Sequence, residues 1–413
     1  MSRLREGLPL WLALERNLHR RYRSLYRDIT SDVVIVGGGL TGALLAWTFA
    51  NRGLRVVVLE AKRVGQGSTG ANSGLLMHET DRDFGELTKW YGAAAARRIW
   101  QLTRQATRDF IKTLRQLEID CDLAERHAVY FTLRSDFVSR LRAEHHRRRA
   151  AGLGGRWLDP TELQRMTGIS GAAGVRSASN AQFNPYRACL GLLRAAEHEG
   201  AQIFEESAVA RIKTVDGGIA AITRRGTVSA RRVIVATGYA TPEFTRLTGR
   251  FSLKHTYVLA TRHISASKRA KLGHRQLMLW DTERPYHYAR WAGQRLIIGG
   301  GDRPRLPEKQ RARAFKDDTR QLRHYFDSLF PKLIDIEIEY AWEGLFANTS
   351  DGLPYIGPHR LYPHHLFALG YGGNGMAFAF LAGRLLLEWY NNTPSLDCQL
   401  FAFNRRRLST RHG

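Results

Sequence analysis

The sequence predicts an α/β protein (in the broad sense, α+β) whose chain is woven into two interleaved domains. Three observations predict this class. A β-branched run near the amino terminus is followed at once by a glycine-rich turn and a helix-favouring stretch. Short alternating apolar runs, typical of strands, fill much of the second half of the chain. No linker or internal repeat separates these pieces along 413 residues, so we expect the chain to cross between the domains several times.

The bulk composition indicates a globular protein. Hydrophobic residues make up 43% of the chain, and no stretch reaches the roughly eighteen uninterrupted apolar residues of a membrane span, so we expect no transmembrane segment. Glu15 and a run of arginines follow the apolar patch of residues 8–14 where a secretory cleavage site would lie, which predicts a cytoplasmic location. The three cysteines lie far apart and form no CxxC pair, so we expect neither a metal site nor a dithiol redox centre.

The formal net charge of +25 is the unusual bulk property. A charge of this size suits nucleic acid, an anionic membrane surface or acidic substrates. The positive residues are spread over residues 16–27, 97–115, 140–149 and 405–411 and do not form one stripe. We therefore interpret them as solvated helix faces, and a nucleic-acid partner is not expected.

The first motif predicts a dinucleotide-binding unit at residues 32–60. Residues 32–36 (DVVIV) predict a strand, residues 37–42 (GGGLTG) a tight turn, and residues 43–50 a helix. A second buried strand over residues 55–59 ends on Glu60, about twenty residues beyond the glycines. A lone G-x-G-x-x-G is weak evidence, whereas one with two flanking strands and a terminal acid is specific.

Each residue of this motif has a physical reason. Gly37 makes the turn, Gly39 lets the backbone approach a pyrophosphate, and Gly42 lets the helix pack on the strand. The helix amino terminus presents free N–H groups to the phosphate charge, and Glu60 can accept hydrogen bonds from a ribose. NAD and FAD share the half that this motif binds, so the motif alone leaves a nicotinamide-dependent reductase open.

The remaining elements follow in order. Residues 65–74 form a glycine-rich loop, residues 84–117 and 137–150 have helical periodicity with a strand at 130–133 between them, and Asn184-Pro185 begins a helix over 186–199. Runs at 201–204, 208–214, 219–223 and 226–230 predict a small antiparallel meander, and 233–238 a buried strand. Strand-like runs at 278–280, 286–291 and 296–298 predict a second sheet. Residues 370–375 formally repeat the glycine motif, but no acid-terminated strand follows them.

Taken together, these motifs resemble the D-amino acid oxidase superfamily of flavoproteins, in particular its glycine oxidase, sarcosine oxidase and γ-glutamylputrescine oxidoreductase members. The resemblance rests on GGGLTG, Glu60, GSTGANSG at 67–74, ATG at 236–238, DGLPYIG at 351–357 and GYGGNGM at 370–376. It implies FAD, and a Rossmann-like FAD-binding domain interleaved with a mixed-sheet substrate domain. The implied FAD-binding segments are 28–90, 184–245 and 341–405, the substrate segments are 91–183 and 246–340, and residues 1–27 are a basic leader.

The resemblance also implies which residues bind the cofactor. The ADP half would lie on the first motif, the pyrophosphate and the path to the ring along the 68–73 loop, and the adenine near the meander. The turn at 372–376 would place a helix amino terminus beside the flavin N1 and C2 carbonyl, stabilising the reduced anionic ring. The implied residues are Gly37, Gly39, Leu40, Thr41, Gly42, Glu60, Ala61, Ser68, Thr69, Ala71, Asn72, Ser73, Val209, Thr237, Gly238, Gly372, Gly373, Asn374, Gly375 and Met376.

Three positions depart from the sarcosine oxidase pattern. No cysteine lies at 342–350, which predicts non-covalent FAD. Ala377 stands where those enzymes have a lysine that binds the substrate carboxylate. Ile297 stands where they have a lysine that activates oxygen. The electron acceptor is therefore left open between oxygen and another compound.

The predicted reaction is the oxidation of an amine or amino-acid-like substrate to an imine by hydride transfer to flavin N5. The sequence dictates no catalytic acid or base, because positioning and desolvation suffice for this chemistry. On a strand facing a cleft, Arg290 would bind a carboxylate bidentately, with a surface salt bridge as the alternative. The candidate substrate contacts are Tyr257, Tyr286, Tyr288, Arg290, Trp342, Phe346, Tyr371 and, with less support, His78.

Two further hypotheses of function remain beside that of a nicotinamide-dependent enzyme. A flavin domain of this superfamily occurs in a tRNA-modifying enzyme, and the positive charge would suit a phosphate backbone, although the chain has no recognisable RNA-binding module. A flavoprotein without turnover, acting in electron transfer or as a scaffold, also fits the motifs.

Overall fold

The computed structural model describes residues 5–15, 21–270, 272 and 277–408. In chain order its strands are β1 (Ile29–Val36), β2 (Val56–Leu59), β3 (Leu75–Leu76), β4 (Ala124–Thr132), β5 (Arg156–Leu158), β6 (Ala173–Gln182), β7 (Gln202–Phe204), β8 (Arg211–Val215), β9 (Gly218–Ile222), β10 (Thr227–Gly238), β11 (Ser252–Thr261), β12 (Leu277–Asp281), β13 (His287–Ala292), β14 (Arg295–Pro304), β15 (Ile338–Asn348), β16 (Tyr355–His359) and β17 (Tyr362–Leu369).

The helices are α1 (Leu10–Leu14), α2 (Leu40–Ala50), α3 (Ser68–Ala71), α4 (Phe84–Tyr91), α5 (Ala93–Gln116), α6 (Val138–Ala150), α7 (Pro160–Thr167), α8 (Pro185–His198), α9 (Thr245–Thr248), α10 (Ala266–Ala270), α11 (Glu308–Leu329), α12 (Gly375–Tyr390) and α13 (Leu396–Gln399). Short 3₁₀ turns occupy Ser135–Phe137, Pro242–Phe244 and Pro331–Leu333.

The first sheet has a parallel centre. Its order is β16-β17-β10-β1-β2-β7, with β16 antiparallel to β17 and the β8–β9 hairpin paired with β10. All four residues of β2 and the Val33–Ile35 stretch of β1 are buried, as expected for strands covered on both faces. Helix α2 packs against α8 and α12. The turn after β1 is therefore fixed at the carboxyl edge of a buried sheet, where α/β proteins bind ligands.

The second sheet is mostly antiparallel. Its order is β15-β11-β14-β13-β12-β4-β6-β3, β12 and β4 are the parallel pair, and β5 is attached to β6. Helix α11 packs on β11 and β14 and covers one face. The other face points towards the 65–81 segment, because Arg290 of β13 bonds to Ser73. Two mixed sheets confirm the predicted α/β class.

Several predicted elements need correction. Residues 201–204 are not part of the meander: β7 pairs in parallel with β2, since α8 before it forms a crossover. The strands predicted at 226–230 and 233–238 are one strand, β10, which pairs with β9 at one end and with β17 at the other. The helix predicted over 84–117 is broken at Gly92, whose φ is +82°.

The two sheets exchange segments along the chain. β1, β2 and β7 to β10 belong to the first sheet, whereas β4 to β6 and β11 to β15 belong to the second. β3 and residues 341–348 of β15 pair in the second sheet, although the predicted boundaries assign them to the FAD-binding segments. The predicted boundaries stay a prediction, with these two strands as exceptions.

The predicted basic leader is packed against the fold where it is described. Leu10 and Trp11 of α1 are 0% and 3% exposed. Glu15 accepts hydrogen bonds from Asn184 and Arg187 of the α8 start. Residues 5–15 of the predicted basic leader therefore contribute a buried apolar helix face to the fold.

Two other features of the described residues bear on the sequence expectations. None of their helices combines the length and the apolar character that a membrane crossing demands. Cys121, Cys189 and Cys398 are free and buried. Burial raises the pKa of Cys121 to about 12 and that of Cys398 to about 11, and it raises the pKa of Cys189 as well.

Candidate functional site

The first glycine turn is closely packed. Gly37 has φ +114°, a conformation that other residues rarely adopt. A Cβ at Gly42 would collide with the carbonyl oxygen of Gly37, so only glycine lets α2 start this close to β1. The N-cap of α2 is Gly39, which has no side chain to cap the helix. The start of α2 therefore has the character of an anion site.

Glu60 is fixed beside this turn. Its carboxylate accepts hydrogen bonds from the amides of Gly38 at 2.8 Å and Lys62 at 2.9 Å. Burial raises the pKa of Glu60, and these hydrogen bonds oppose the shift. Each oxygen keeps acceptor capacity for a further donor. The arrangement is compatible with the predicted ribose contact.

The glycine-rich loop bridges the two sheets. The Thr69 hydroxyl accepts a hydrogen bond from the Leu40 amide at 2.8 Å, which ties the loop to the first turn of α2. At its other end three successive carbonyls accept hydrogen bonds from buried side chains of three elements. These are Ala71 from Trp342 at 2.8 Å, Asn72 from Trp11 at 2.6 Å and Ser73 from Arg290 at 2.6 Å. The path from α2 to the second sheet is thus held in place.

The second glycine turn lies next to the first. Gly370 and Gly372 have φ of +77° and +68°, and α12 begins at Gly375. Tyr371 in this turn lies beside Thr41 of α2, although its buried hydroxyl makes no hydrogen bond of good geometry to the described residues. Gly370 also donates its amide to the carbonyl of Gly238 at 2.9 Å. One extended ligand can therefore reach both turns.

Asp81 is a site residue that sequence reasoning missed. Its carboxylate accepts hydrogen bonds from the amides of Gly373 at 2.7 Å and Asn374 at 2.9 Å. Burial raises its pKa, while these two bonds and the charges of Arg82 and Arg284 lower it. Two amides predicted to face the flavin therefore hold a carboxylate here. No sequence motif marks Asp81, since only the turn brings it to the site.

An aromatic face of the second sheet adjoins this turn. The rings of Tyr130 and Trp280 stack at 3.9 Å, and Trp280, Tyr286 and Tyr288 follow at centroid distances of 6.4 and 6.2 Å. The Tyr286 hydroxyl lies so close to Gly373 that a Cβ there would collide with it. The Trp280 indole is 4% exposed, and its N–H has no partner among the described residues. Tyr130 and Trp280 were missed, although strand alternation puts both on this face.

Asp302 is a second carboxyl on this side of the sheet. Burial raises its pKa to about 6. A hydrogen bond with Thr256 and the charges of Lys254 and His287 oppose this shift, whereas the charge of Asp81 adds to it. Sequence reasoning missed Asp302 because it follows three glycines at the end of β14, where a bulge obscures the alternation.

Four predicted substrate contacts require correction. Arg290 is 3% exposed and donates to the carbonyls of Ser73, Trp291 and Phe183, so it is neither a carboxylate clamp nor a surface salt bridge. Trp342 is fully buried under Ala71. Tyr257 points to the α11 face, towards Phe315 and Asp318. His78 is buried and bonded to Asn180 at 2.7 Å.

The other predicted residues remain predictions. Phe346 is half-buried on the β15 face that also carries Gly344, next to Ala71, and Asn348, next to Gly372. Val209 is half-buried just before β8, Ala61 is exposed, and the Thr237 hydroxyl donates to the Tyr239 carbonyl at 2.8 Å. The two departure positions, Ala377 and Ile297, are buried. The described residues hold no cluster of three or more metal-ligating side chains.

A dinucleotide with a planar ring system fits these residues. The start of α2, where Gly39 provides no side-chain cap, suits phosphate, Glu60 suits a ribose, and the loop leads to the second turn and the aromatic face. The Tyr371 hydroxyl and the Trp280 indole are buried polar groups with no hydrogen bond of good geometry to the described residues, as expected where a ligand supplies a partner.

Comparison with known proteins agrees with this geometry. Residues 32–389 match the model of a family described as FAD dependent oxidoreductase. The chain is 28% identical over 388 residues to the γ-glutamylputrescine oxidoreductase of Escherichia coli K12, spanning 93% of this chain and 89% of that protein. It is 25% identical over 393 residues to the glycine oxidase of Bacillus licheniformis, spanning 92% of this chain and 98% of that protein.

A solved structure shares the fold. The crystal structure of glycine oxidase from Geobacillus kaustophilus superposes with a TM-score of 0.75 at 22% identity, covering 94% of this chain and all of that one. At this identity the likeness shows the common architecture of two mixed sheets.

Proposed function

Because this chain belongs to the FAD dependent oxidoreductase family, we propose that it oxidises an amine or amino-acid-like substrate to an imine. The observation that carries the proposal is the meeting of two glycine turns beside an aromatic sheet face. Thr41 of the first turn lies beside Tyr371 of the second, and Tyr286 touches Gly373. The names of the two relatives, one for γ-glutamylputrescine and one for glycine, both denote amines.

We assign the ADP half of FAD to the start of α2 and to Glu60, and the ring to the second turn and the aromatic face. Bound FAD would supply the acceptor for a hydride from the carbon that bears the neutral amine, which leaves a protonated imine; loss of its N–H proton gives the imine that water hydrolyses. Trp280, Tyr286 and Tyr288 exclude water from the substrate. Burial raises the pKa of Tyr288 to about 12, so its hydroxyl stays a hydrogen-bond donor at neutral pH.

The carboxyls give this site its preference for an amine. The substrate nitrogen must lose a proton before its carbon gives up a hydride, and Asp302, with a pKa of about 6, accepts protons at neutral pH. Arg290 is held by backbone carbonyls, and Ala377 carries no charge. We therefore propose that the amine, and not a carboxylate, is the main recognition element.

The test has two steps. Acid precipitation of the purified protein should release a flavin into the supernatant, because no cysteine at 342–350 is placed to attach it. Anaerobic mixing with a panel of primary amines, secondary amines and amino acids should then bleach the visible flavin band with at least one member. A flavin that no amine bleaches, but that a reduced nicotinamide does, would replace this proposal with the nicotinamide alternative. Reoxidation by air or by an artificial acceptor identifies the electron acceptor.

A further inference from the structure

The amino-terminal segment, residues 5–15, is built into the side of the glycine-rich loop. Gly7 forms an antiparallel bridge with Trp342 of β15, and the Glu6 amide donates to Glu343 at 3.1 Å. A Cβ at Gly7 would collide with the Ala341 carbonyl oxygen, so the segment lies flush against β15. Its position before β1 places it outside the dinucleotide-binding motif, yet it touches the loop that follows that motif.

Two side chains of the segment bind loop carbonyls. The Trp11 indole N–H donates to Asn72 at 2.6 Å, and the Arg5 guanidinium donates to Gln66. Trp11 is 3% exposed, so its hydrogen bond is shielded from water. A buried carbonyl that loses its donor remains unsatisfied, which makes the loss of such a bond costly.

Trp11 also contacts Arg290, a second side chain that binds the loop. The guanidinium carbon of Arg290 lies 5.0 Å from the centre of the Trp11 ring. Arg290 donates to the next carbonyl, Ser73, and to Phe183. No carboxylate forms an ion pair with the buried Arg290 among the described residues, so the aromatic face is an important electrostatic partner for its charge.

These contacts together hold the glycine-rich loop in place. Trp11 anchors Asn72 directly and Ser73 through Arg290, and Trp342 anchors Ala71. The same loop meets the cofactor turn through Thr69 and Leu40. A path of four residues, 69–72, therefore connects the Trp11 contact to the first amide of α2.

We propose that the amino-terminal segment is part of the cofactor-binding machinery, with Trp11 as the positioning residue that holds the 68–74 loop in its FAD-binding conformation. The inference rests on the proposed binding of FAD to this loop. Trp11 itself need not touch the cofactor. Its effect is to preorganise the backbone that does, so that less ordering is required when FAD binds.

The variant Trp11→Phe tests this role, because it keeps a ring over Arg290 and removes the donor to Asn72. We expect the Kd of the apoprotein for FAD, measured by quenching of flavin fluorescence, to rise about tenfold, which corresponds to about 1.4 kcal/mol. Trp11→Ala removes both anchors and should weaken binding further. Trp157→Phe is the matched control, since this half-buried indole lies on edge strand β5 and packs on Arg142.

If the wild-type protein binds FAD and Trp11→Phe binds it with the same Kd, the inference is overturned and the proposed function stands. Failure of the wild-type protein to bind FAD would instead overturn the proposed function.

Hydrogen exchange on the wild-type protein provides a measurement that requires no variant to fold. FAD should slow exchange in residues 8–14 and 66–74 together, and should have a smaller effect in α11, on the far face of the second sheet. Protection of 66–74 without any change in 8–14 would also overturn the inference.

Discussion

At the scale of residues, the fold depends on a few buried charged groups, each with a hydrogen-bonded partner of opposite charge. Asp351 of the DGLP segment is 3% exposed and accepts two hydrogen bonds from Arg405, at 2.7 and 2.8 Å, and one from Tyr91. Arg405 also donates to Leu353 and lies 4.0 Å from the Tyr355 ring centre. The carboxy-terminal segment, α4 and the DGLP loop are joined at this point.

Replacing Asp351 by Asn should lower the free energy of unfolding by about 3 kcal/mol at pH 7, because it leaves Arg405 without its charge partner in a buried site. The bonds from Arg405 hold the pKa of Asp351 well below its usual range. The folded pKa is depressed, so the stabilisation is present above the unfolded pKa of about 4 and is lost as the pH falls towards the folded value.

Urea titrations of both proteins from pH 3 to pH 8 measure this difference. It should be constant above about pH 5 and shrink below about pH 4. Asp136→Asn is the control, since the Asp136–Arg134 pair is exposed and its loss should have no measurable effect. A difference that persisted unchanged to pH 3 would contradict the assignment.

Asp302 gives a prediction with the opposite sign. Burial raises the pKa of Asp302 in the folded protein to about 6. Its ionisation therefore lowers the free energy of unfolding as the pH rises from about 4 through 6. The same ionisation creates the negative charge that binds an amine cation. We expect the KM for an amine substrate to fall as the pH rises through 6. The neighbouring titratable groups are Asp81, Lys254 and His287.

The KM profile of Asp302→Asn, measured from pH 5 to pH 8, should lose this step, and kcat should fall as well, because Asp302 is the proposed acceptor of the amine proton. An unchanged step in the variant would show that the titrating group is not Asp302.

At the scale of elements, the two glycine turns are determined by close packing. A Cβ at Gly42 would meet the Gly37 carbonyl oxygen, which cannot move without disturbing β1. Gly42→Ala should therefore raise the Kd for FAD at least tenfold by displacing the start of α2. Gly249→Ala is the control, because nothing lies within 4 Å of the corresponding Cβ and Gly249 has an ordinary helical φ of −68°. Equal FAD affinity for the two variants would show that α2 tolerates the shift.

The sequence predicts individual helices and strands well, but it does not predict which of their faces pack together. The β1–α2–β2 unit and the Asn184 cap of α8 could be predicted, because their signals lie within a few residues of each other. The sequence analysis grouped Arg290 and Tyr257 as substrate contacts, and only the packing of α11 and of the 65–74 loop shows that they lie on opposite faces of the second sheet. Asp81 could not be predicted, because its partners are 292 and 293 residues away in the chain.

At the scale of the whole molecule, the crossing of the chain between two sheets couples their stability. β10 and β15 each end near the glycine turns, and the loop between β2 and β3 joins the two sheets directly. We expect both sheets to unfold in one thermal transition. FAD at about 100 times its Kd should add about 2.7 kcal/mol to the stability of the whole molecule.

Differential scanning calorimetry, with and without added FAD, measures this coupling. One peak that moves as a unit is the expected result. Two peaks, only one of which responds to FAD, would show that the sheets unfold independently.

The rate at which the buried cysteines are alkylated measures how often the folded protein opens. The Cys189 thiol points to the Gly38 carbonyl behind the first turn, Cys398 lies under α12, and Cys121 lies next to the start of α8. All three side chains are shielded and held as thiols, the form that alkylating reagents attack slowly. The speed at which the native protein becomes labelled therefore reports how often its interior opens, and peptide mapping of the label distinguishes an opening beside the glycine turn from one at the carboxy-terminal end.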